Sequence, residues 1–490
     1  MKLKTVLQGL DYRLVSGSLD QEVKGLSFDS RKTRPGDLFI CIPGLKTDGH
    51  DYVEQAVERG AVALLVEKKV DAPPGMAIVQ VGDTRTAMPA AASNFYEKPS
   101  SHFKLIGVTG TNGKTTTTHL ITAILEEWGC KVGIMGTLYS RMGDYEKVLS
   151  NTTPESVDIE EFLALVRSKS GQYAVMEVSS HALDLGRVDQ LEFYSGVFTN
   201  LTQDHLDYHG SMESYKRSKL KLFNRLDPGK GHFAVINADD PAARDFIEAC
   251  TTECITYGID QETMVKAVDV RFSLKGSHFT VLYQGERFDI DMKLIGRFSI
   301  YNALAAIAFA LREGISQDVI AAALVKVTGV AGRFEQVDCG QDFTVIVDYA
   351  HTPDGLENIL KTAREVLENR LITVFGCGGD RDRTKRPKMG RIAAQYSDFC
   401  IVTSDNPRSE EPEAIIDDII PGLEEVENSH YAKIIDRREA IHQAICLAKT
   451  GDLIIIAGKG HETYQLIKDQ VLDFDDRLVA AEFLKGKINE

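Results

Sequence analysis

Phe103-Lys104-Leu105-Ile106-Gly107-Val108, running into Thr109-Gly110-Thr111-Asn112-Gly113-Lys114-Thr115-Thr116, decides how the rest of the chain is read. The apolar run predicts a buried strand and the glycine-containing run a loop. Leu120, Ile121, Ile124 and Leu125 then mark the buried side of a helix that ends near Gly129. Glycines let backbone N–H groups curl round a phosphate, and the helix N-terminus adds partial positive charge. Lys114 would reach the β- and γ-phosphates, and the Thr115 hydroxyl would hold Mg²⁺. The strict phosphate-loop pattern has glycine where this chain has Val108, so a tight turn with no ligand is the plain alternative. The Gly-Lys-Thr-Thr ending between strand and helix favours an ATP or GTP site built from Gly110, Thr111, Asn112, Gly113, Lys114, Thr115 and Thr116.

Outward from this loop, 490 residues at ~150 per domain suggest roughly three domains. With 43% apolar and 26% charged residues, the chain is neither collagen, nor a coiled coil, nor disordered. A formal charge of −16 repels polyanions, which argues against nucleic-acid and anionic-membrane partners. No window approaches the ~18 to 20 apolar residues of a membrane span, and the start turns polar too soon for a secretory segment. The eight cysteines are sparse: only Cys250 and Cys254 lie close together, and zinc-site spacing is lacking. Reduced cysteines and a cytoplasmic location are the simplest reading.

Before the loop, Leu26 to Ser30, Asp37 to Ile42 and Ala61 to Val66 read as strands, with Val53, Ala56 and Val57 on a helical face. Glu97 to Ser101 reads as a linker. After it, strands such as Tyr173 to Val178 and Ala234 to Asn237 alternate with helices, so a mostly parallel sheet is expected, with a hairpin-like excursion around Phe272 to Leu294. The last stretch repeats buried strand and polar loop at Val345 to Val347, Leu371 to Phe375, Phe399 to Thr403 and Leu453 to Ile456. Ligands bind at such strand ends in open α/β sheets. The fold class is therefore α/β in three domains: 1–100, a central phosphate-loop domain 101–330, and a Rossmann-like domain 331–490.

The loop variant resembles that of the Mur ligases and their folylpolyglutamate synthetase relatives. Seven further motifs extend the resemblance in the family's order: Thr152-Thr153-Pro154-Glu155, Met176 to His181, Asn200 to His209, Gly332 to Glu335, Asp348 to Asp354, and the pair Gly376 to Asp382 and Asp405-Asn406-Pro407-Arg408. The last pair looks like the branch that adds meso-2,6-diaminopimelate to UDP-N-acetylmuramoyl-L-alanyl-D-glutamate. What the resemblance implies is ATP-driven formation of an acyl phosphate on the D-glutamate side chain, followed by attack of the amino acid's amine. Its cofactors would be ATP and Mg²⁺, its partners these small molecules, and its working state a monomer.

The resemblance also implies roles. Lys114, Glu177, His205 and Lys219 are the catalytic set, with Thr115, Glu177, His205 and Lys219 facing Mg²⁺. Lys219 is expected as a carbamate, with Lys216, Arg217 and Lys221 stabilising it; by composition alone it is one lysine on a solvated helix face. Asn302, Arg333 and Asp348 match positions near adenine and ribose, although Ser299 stands where the pattern has asparagine. Ser30 and Thr47 look like contacts to the UDP moiety, where ordinary turns are the alternative. Asn151, Thr152, Thr153, Ser179 and Arg187 look like contacts to the muramoyl dipeptide; a surface Arg187 near Asp184 and Asp189 is the alternative. Arg381, Asp405, Asn406, Pro407, Arg408, Gly458 and Glu462 would hold diaminopimelate, against a turn whose Arg408 pairs with Glu410 or Glu411. Folylpolyglutamate synthetase and a switch NTPase are the rival functions.

Overall fold

In this computed structural model, residues 1–44, 47–149 and 151–489 are described, with side chains to residue 487. The apolar runs become strands that pair edge to edge while helices cover their faces, giving three larger sheets and a two-stranded hairpin. The N-terminal sheet has the order β1-β5-β4-β3-β2, formed by β1 (Arg13–Ser16), β2 (Gly25–Ser27), β3 (Asp37–Ile40), β4 (Ala63–Val66) and β5 (Ala77–Gln80). Only β1 is antiparallel to its neighbour.

The central sheet is built on β6 (Lys104–Thr109), whose Leu105, Ile106 and Val108 are fully buried. Next along the chain come β7 (Val132–Met135), β8 (Tyr139–Met142), β9 (Tyr145–Val148), β10 (Tyr173–Glu177), β11 (Ser195–Phe198), β12 (Phe233–Asn237) and β13 (Glu253–Gly258). Strands β10 and β11 flank β6 in parallel, in a register that sets Glu177 and Val197 beside Val108. The carboxyl ends of three strands therefore meet where the phosphate loop begins. The hairpin-like excursion is an antiparallel meander of β14 (Val265–Ser273), β15 (Gly276–Tyr283) and β16 (Glu286–Met292). The helix Arg297–Arg312, with an alanine-rich buried face, packs on the loop's own helix, Lys114–Glu127.

The C-terminal sheet runs β17-β18-β22-β19-β20-β21: β17 (Glu335–Gln336), β18 (Thr344–Asp348), β19 (Leu371–Phe375), β20 (Phe399–Val402), β21 (Tyr431–Lys433) and β22 (Leu453–Ala457). All neighbours are parallel except β17. A hairpin, β23 (Tyr464–Ile467) and β24 (Gln470–Asp473), follows.

Two expectations need correcting. The strand from Leu26 stops at Ser27, because the Asp29 carboxylate accepts from Arg31 N and turns Ser30–Lys32 into a helical turn. The linker is not loose: Pro99–His102 is a helical turn with Pro99 and Ser100 buried, and Ser100 Oγ accepts from Glu192 N at 3.2 Å. Among the described residues, no helix is long and apolar enough to cross a membrane.

Candidate functional site

The helix Lys114–Glu127 begins at Gly113, whose φ of +85° is one that side chains rarely tolerate. A Cβ there would also stand 2.3 Å from Asn302 Oδ1. Asn302 thus lies against the loop backbone, and Thr117 Oγ1 donates to it at 3.4 Å. Lys114 is folded onto its own loop, donating to Gly110 O at 3.0 Å and Thr111 O at 2.8 Å, and burial pushes its ammonium below the ordinary range. Thr116 is buried, and Thr111 Oγ1 lies 3.2 Å from Tyr215 Oη.

Thr115 Oγ1 donates to Glu177 Oε2 at 3.1 Å, and the buried Glu177 carboxylate also accepts from Thr137 N at 2.7 Å and Thr137 Oγ1 at 3.1 Å. The arrangement is a hydroxyl and a carboxylate held side by side at a helix N-terminus. Glu177 is only 1% exposed, so its carboxylate is held inside the site and not in solvent.

Lys219, on the helix Met212–Phe223, is only 1% exposed, which removes the solvated-face reading. Its Nζ donates to Gly110 O at 2.8 Å and lies 4.5 Å from the centre of the Tyr215 ring. Burial, with Lys114 adding repulsion, drives its pKa far down. Two of the expected helpers are engaged elsewhere, Lys216 with Glu213 and Asp245 and Lys221 with Asp184, and Arg217 is exposed. Lys114 is the cation beside Lys219. His205 takes a left-handed φ of +53°, and its ring stacks edge-on to His181 at 4.7 Å. Burial holds its imidazole well below the ordinary range against the pull of Asp204, leaving a neutral nitrogen donor.

The C-terminal sheet presents its strand ends to this loop. Arg333 Nη2 donates to Thr115 Oγ1 at 3.3 Å while its guanidinium lies 4.5 Å from the Tyr349 ring centre. Asp348 accepts from Phe334 N at 2.6 Å and Ala350 N at 2.7 Å, so it fixes the turn that carries Arg333. Asp354, in the first turn of the helix Pro353–Val366, accepts from Asn112 Nδ2 at 2.7 Å and Thr202 Oγ1 at 3.1 Å.

Beyond β20, Asn406 is buried and Glu462 largely so. Asn406 Nδ2 donates to Glu462 Oε2 at 2.8 Å, and Lys459 Nζ donates to Asn406 Oδ1 and Glu462 Oε2, both at 3.1 Å. Burial raises the Glu462 carboxyl. Burial acts the same way on Asp405, but Lys459 and Arg437 outweigh it and hold that carboxyl below its usual range. Gly458, at φ +118°, leaves room for Asp405: a Cβ would meet Asp405 Oδ2 at 2.5 Å. The Pro407 carbonyl presses against Gly379.

Arg408 (φ +52°) donates to the carbonyls of Gly379 at 2.8 Å and Asn406 at 3.4 Å, and no carboxylate pairs with it among the described residues. Glu410 is engaged by Arg386 and Glu411 by Lys468, so the surface-pair alternative fails. Burial and then the neighbouring Arg381 push the Arg408 guanidinium below its ordinary range. Arg381 itself is exposed and donates to Asp380 O at 2.9 Å.

On the sugar-nucleotide side, Ser30 Oγ donates to Gln55 Oε1 at 2.5 Å, and Thr47 is exposed. Leu45 and Lys46 of the neighbouring motif lie outside the described residues. Asn151 is exposed, and Thr152 Oγ1 lies 3.1 Å from Thr137 Oγ1. The buried Thr153 hydroxyl donates to Glu177 O and accepts from Ser179 N, while Ser179 Oγ caps the helix Ser180–Asp184. Arg187 is mostly buried against Thr153 O at 2.9 Å and Glu155 at 2.8 Å. The aspartates offered as its surface partners are engaged by Lys221 and Arg225.

Sequence reasoning passed over the fully buried Arg386, which pairs with Glu410 and Asp418 and donates to Gly378 O at 3.3 Å. It also passed over the buried pair Arg437–Asp476, which ties Ala457 O beside the same pocket. Their partners are remote in sequence, so no local spacing could have exposed them.

Three family models lie end to end on the chain: "Mur ligase family, catalytic domain" over residues 22–96, "Mur ligase middle domain" over 108–310, and "Mur ligase, glutamate ligase domain" over 332–460. A UDP-N-acetylmuramoyl-L-alanyl-D-glutamate–2,6-diaminopimelate ligase from Syntrophomonas wolfei is 58% identical, with 100% of both chains covered. A solved structure of a ligase of that same name is 31% identical, covers 100% of this chain and 99% of its own, and superposes with a TM-score of 0.67. A MurF ligase from Thermotoga maritima in complex with ADP shares the fold at 18% identity and a TM-score of 0.67, covering 95% of this chain and 97% of its own. By full-length identity and by the order of its parts, the chain belongs to the Mur ligase family.

Proposed function

We propose that this chain is an ATP-dependent, ADP-forming ligase that joins meso-2,6-diaminopimelate to the D-glutamate of UDP-N-acetylmuramoyl-L-alanyl-D-glutamate, a cytoplasmic step of peptidoglycan precursor synthesis. The observation that carries the choice of amino acid is Arg408: a half-buried guanidinium at a strand end, held by two backbone carbonyls and left without a carboxylate. meso-Diaminopimelate differs from lysine by a carboxylate at its far end, which the planar fork of Arg408 would receive with Arg381 beside it. Asp405, Asn406, Pro407, Gly458 and Glu462 form the rest of that pocket, with Glu462 accepting from the far ammonium. Residues 1–100 would take the UDP end through Ser30 and Thr47, residues 101–330 the ATP phosphates, and residues 331–490 the amino acid.

A carboxylate is a poor electrophile, so ATP first phosphorylates the D-glutamate side chain; the amine then attacks the acyl phosphate and phosphate leaves. Phosphoryl transfer onto an anion calls for positioning and charge neutralisation. Lys114 would leave the loop carbonyls for the phosphate oxygens, the loop N–H groups would cradle them, and Asn302, Arg333 and Asp348 would hold the nucleoside end. Asn151, Thr152, Thr153, Ser179 and Arg187 would position the dipeptide.

The donor set suits Mg²⁺: the Thr115 hydroxyl beside the Glu177 carboxylate supplies oxygen ligands, and His205 is held neutral. Among the described residues no three His, Cys, Asp or Glu side chains converge into a closed cage, in keeping with an ion that keeps water and phosphate ligands. When bound, it would neutralise charge on the transferring phosphoryl group. Lys219, as a neutral amine, would add CO₂ and lose a proton to give the carbamate, an anionic oxygen ligand. The five-stranded unit ahead of the loop and the full-length identity argue against a folylpolyglutamate synthetase.

Phosphate release tests the reading. It is expected only with ATP, the UDP-muramoyl dipeptide and diaminopimelate together; hydrolysis of ATP without either substrate would return the switch NTPase.

A further inference from the structure

We propose that Arg85, on the N-terminal unit, binds the acceptor substrate: with Arg187 it forms a two-arginine clamp for the non-reacting carboxylate of the substrate's terminal D-glutamate. The inference rests on the ligase reading above.

Arg85 stands in the first turn of the helix Thr84–Phe95, where Asp83 caps the chain by accepting from Arg85 N at 2.8 Å and Thr86 N at 3.1 Å. Its side chain leaves its own unit and crosses to the central one, where Nη1 lies 3.4 Å from each carboxylate oxygen of Glu155. Arg187 Nη2 reaches the same carboxylate at 2.8 Å, and its Nη1 donates to Thr153 O at 2.9 Å. Two guanidiniums against one carboxylate leave a net positive charge. Side-chain exposures of 24% for Arg85, 16% for Arg187 and 13% for Glu155 leave that charge poorly hydrated. Each guanidinium has five N–H donors, and Arg187 Nε is buried with no partner among the described residues. Charge and donors alike are left over for one more anion.

The cluster also lies on the way to the reacting groups. Glu155 directly follows Thr152-Thr153-Pro154 and opens the helix Ser156–Ser168 without capping it by its side chain. Arg85 and Arg187 both act electrostatically on Tyr208, whose ring is 4.3 Å from that of His181, itself 4.7 Å from His205. A substrate whose γ-carboxylate lies among Lys114 and His205 carries its nearest other anion on the same glutamate. The arginine fork matches a carboxylate in two parallel hydrogen bonds, and Glu155 already occupies the clamp in that chemical form.

The test compares Arg85→Ala with the unaltered chain on two substrates: the natural UDP-muramoyl dipeptide, and the same molecule with the glutamate α-carboxylate converted to an amide. Arg85→Ala is expected to raise KM for the natural substrate by ~10-fold or more, with kcat less affected and KM for ATP and diaminopimelate unmoved. With the amide, the unaltered chain should fall towards the variant's level and the variant should lose little more. Arg85→Gln, which keeps the aliphatic stem, is held to the same outcome should alanine loosen the contact between units. An unchanged KM for the natural substrate, or an equal loss on both substrates, overturns the clamp. No turnover of the natural substrate by the unaltered chain would instead overturn the ligase reading, and the clamp with it.

Discussion

Lys114 and Lys219 donate to one acceptor, the carbonyl oxygen of Gly110, at 3.0 and 2.8 Å. Burial lowers the pKa of both amines, and a charge on Lys114 further disfavours protonation of Lys219. The pocket is therefore built for anions, and Lys114 gains a phosphate partner there that strengthens as the γ-phosphoryl group transfers. Lys114→Ala is expected to slow acyl-phosphate formation by ~10²-fold or more, without loss of thermal stability, since a buried charge is removed. Near-normal formation in a single-turnover experiment would refute its role.

The low pKa of Lys219 gives a second prediction. Addition of CO₂ requires the neutral amine, so carbamate should persist to lower pH here than on an exposed lysine, and be lost as protonation wins. Carbon-13 NMR of the protein under labelled CO₂ is expected to show one slowly exchanging carbamate, absent in Lys219→Ala. That variant should be inactive and partly restored by short carboxylates that fill the vacated place. Full activity of CO₂-depleted protein would contradict the modification.

Much of this was legible in the sequence because it is local. The phosphate loop, the strand-end motifs and the helical faces each need only a few consecutive residues, and the strands β6 and β10, though not their pairing, follow from two apolar runs. What escaped reading depends on partners far apart in the chain. The burial of Lys219 arises because its helix packs across the end of β6, a contact that a mixed lysine-rich segment conceals. Likewise Glu97 to Ser101 has the composition of a linker, yet Ser100 finds a partner in Glu192. The orienting arginines, Arg386 and Arg437, have acidic partners 24 to 39 residues away.

Glu160 supplies a pH prediction. It is buried on the helix Ser156–Ser168 where that helix faces Thr84–Phe95, one carboxyl oxygen lacks a partner among the described residues, and burial raises its pKa to about 8, with Ser93 offsetting part of the effect. Folded chain thus holds this proton up to about pH 8, whereas unfolded chain releases it near 4.5. The contribution to stability is full below 4.5 and is lost as pH rises towards 8. Glu160→Gln should flatten that slope and stabilise the protein above pH 8 by ~1 to 3 kcal/mol in denaturant titrations. An unchanged slope would place the titration elsewhere.

Asp354 joins the C-terminal unit to the phosphate loop through Asn112 and Thr202. Asp354→Ala should loosen this contact, widen the scattering profile, and raise KM for ATP by ~5- to 30-fold, on the ~1 to 2 kcal/mol of its charge-assisted hydrogen bonds. Substrate should still draw the units together, with bending expected at Glu97–Lys98 and Thr328–Gly329, outside the packed turns that follow. Identical profiles for both proteins, with and without substrates, would argue against a latch.

The measurement that bears most directly on the account is kcat/KM for meso-diaminopimelate against L-lysine, in the unaltered chain and in Arg408→Ala. With lysine bound, Arg408 would stay desolvated and unpaired, which costs about 2 to 5 kcal/mol, or ~30- to several-thousand-fold in selectivity. The account predicts a preference of that size for diaminopimelate and its near disappearance in Arg408→Ala. Equal efficiency with both amino acids in the unaltered chain would contradict it.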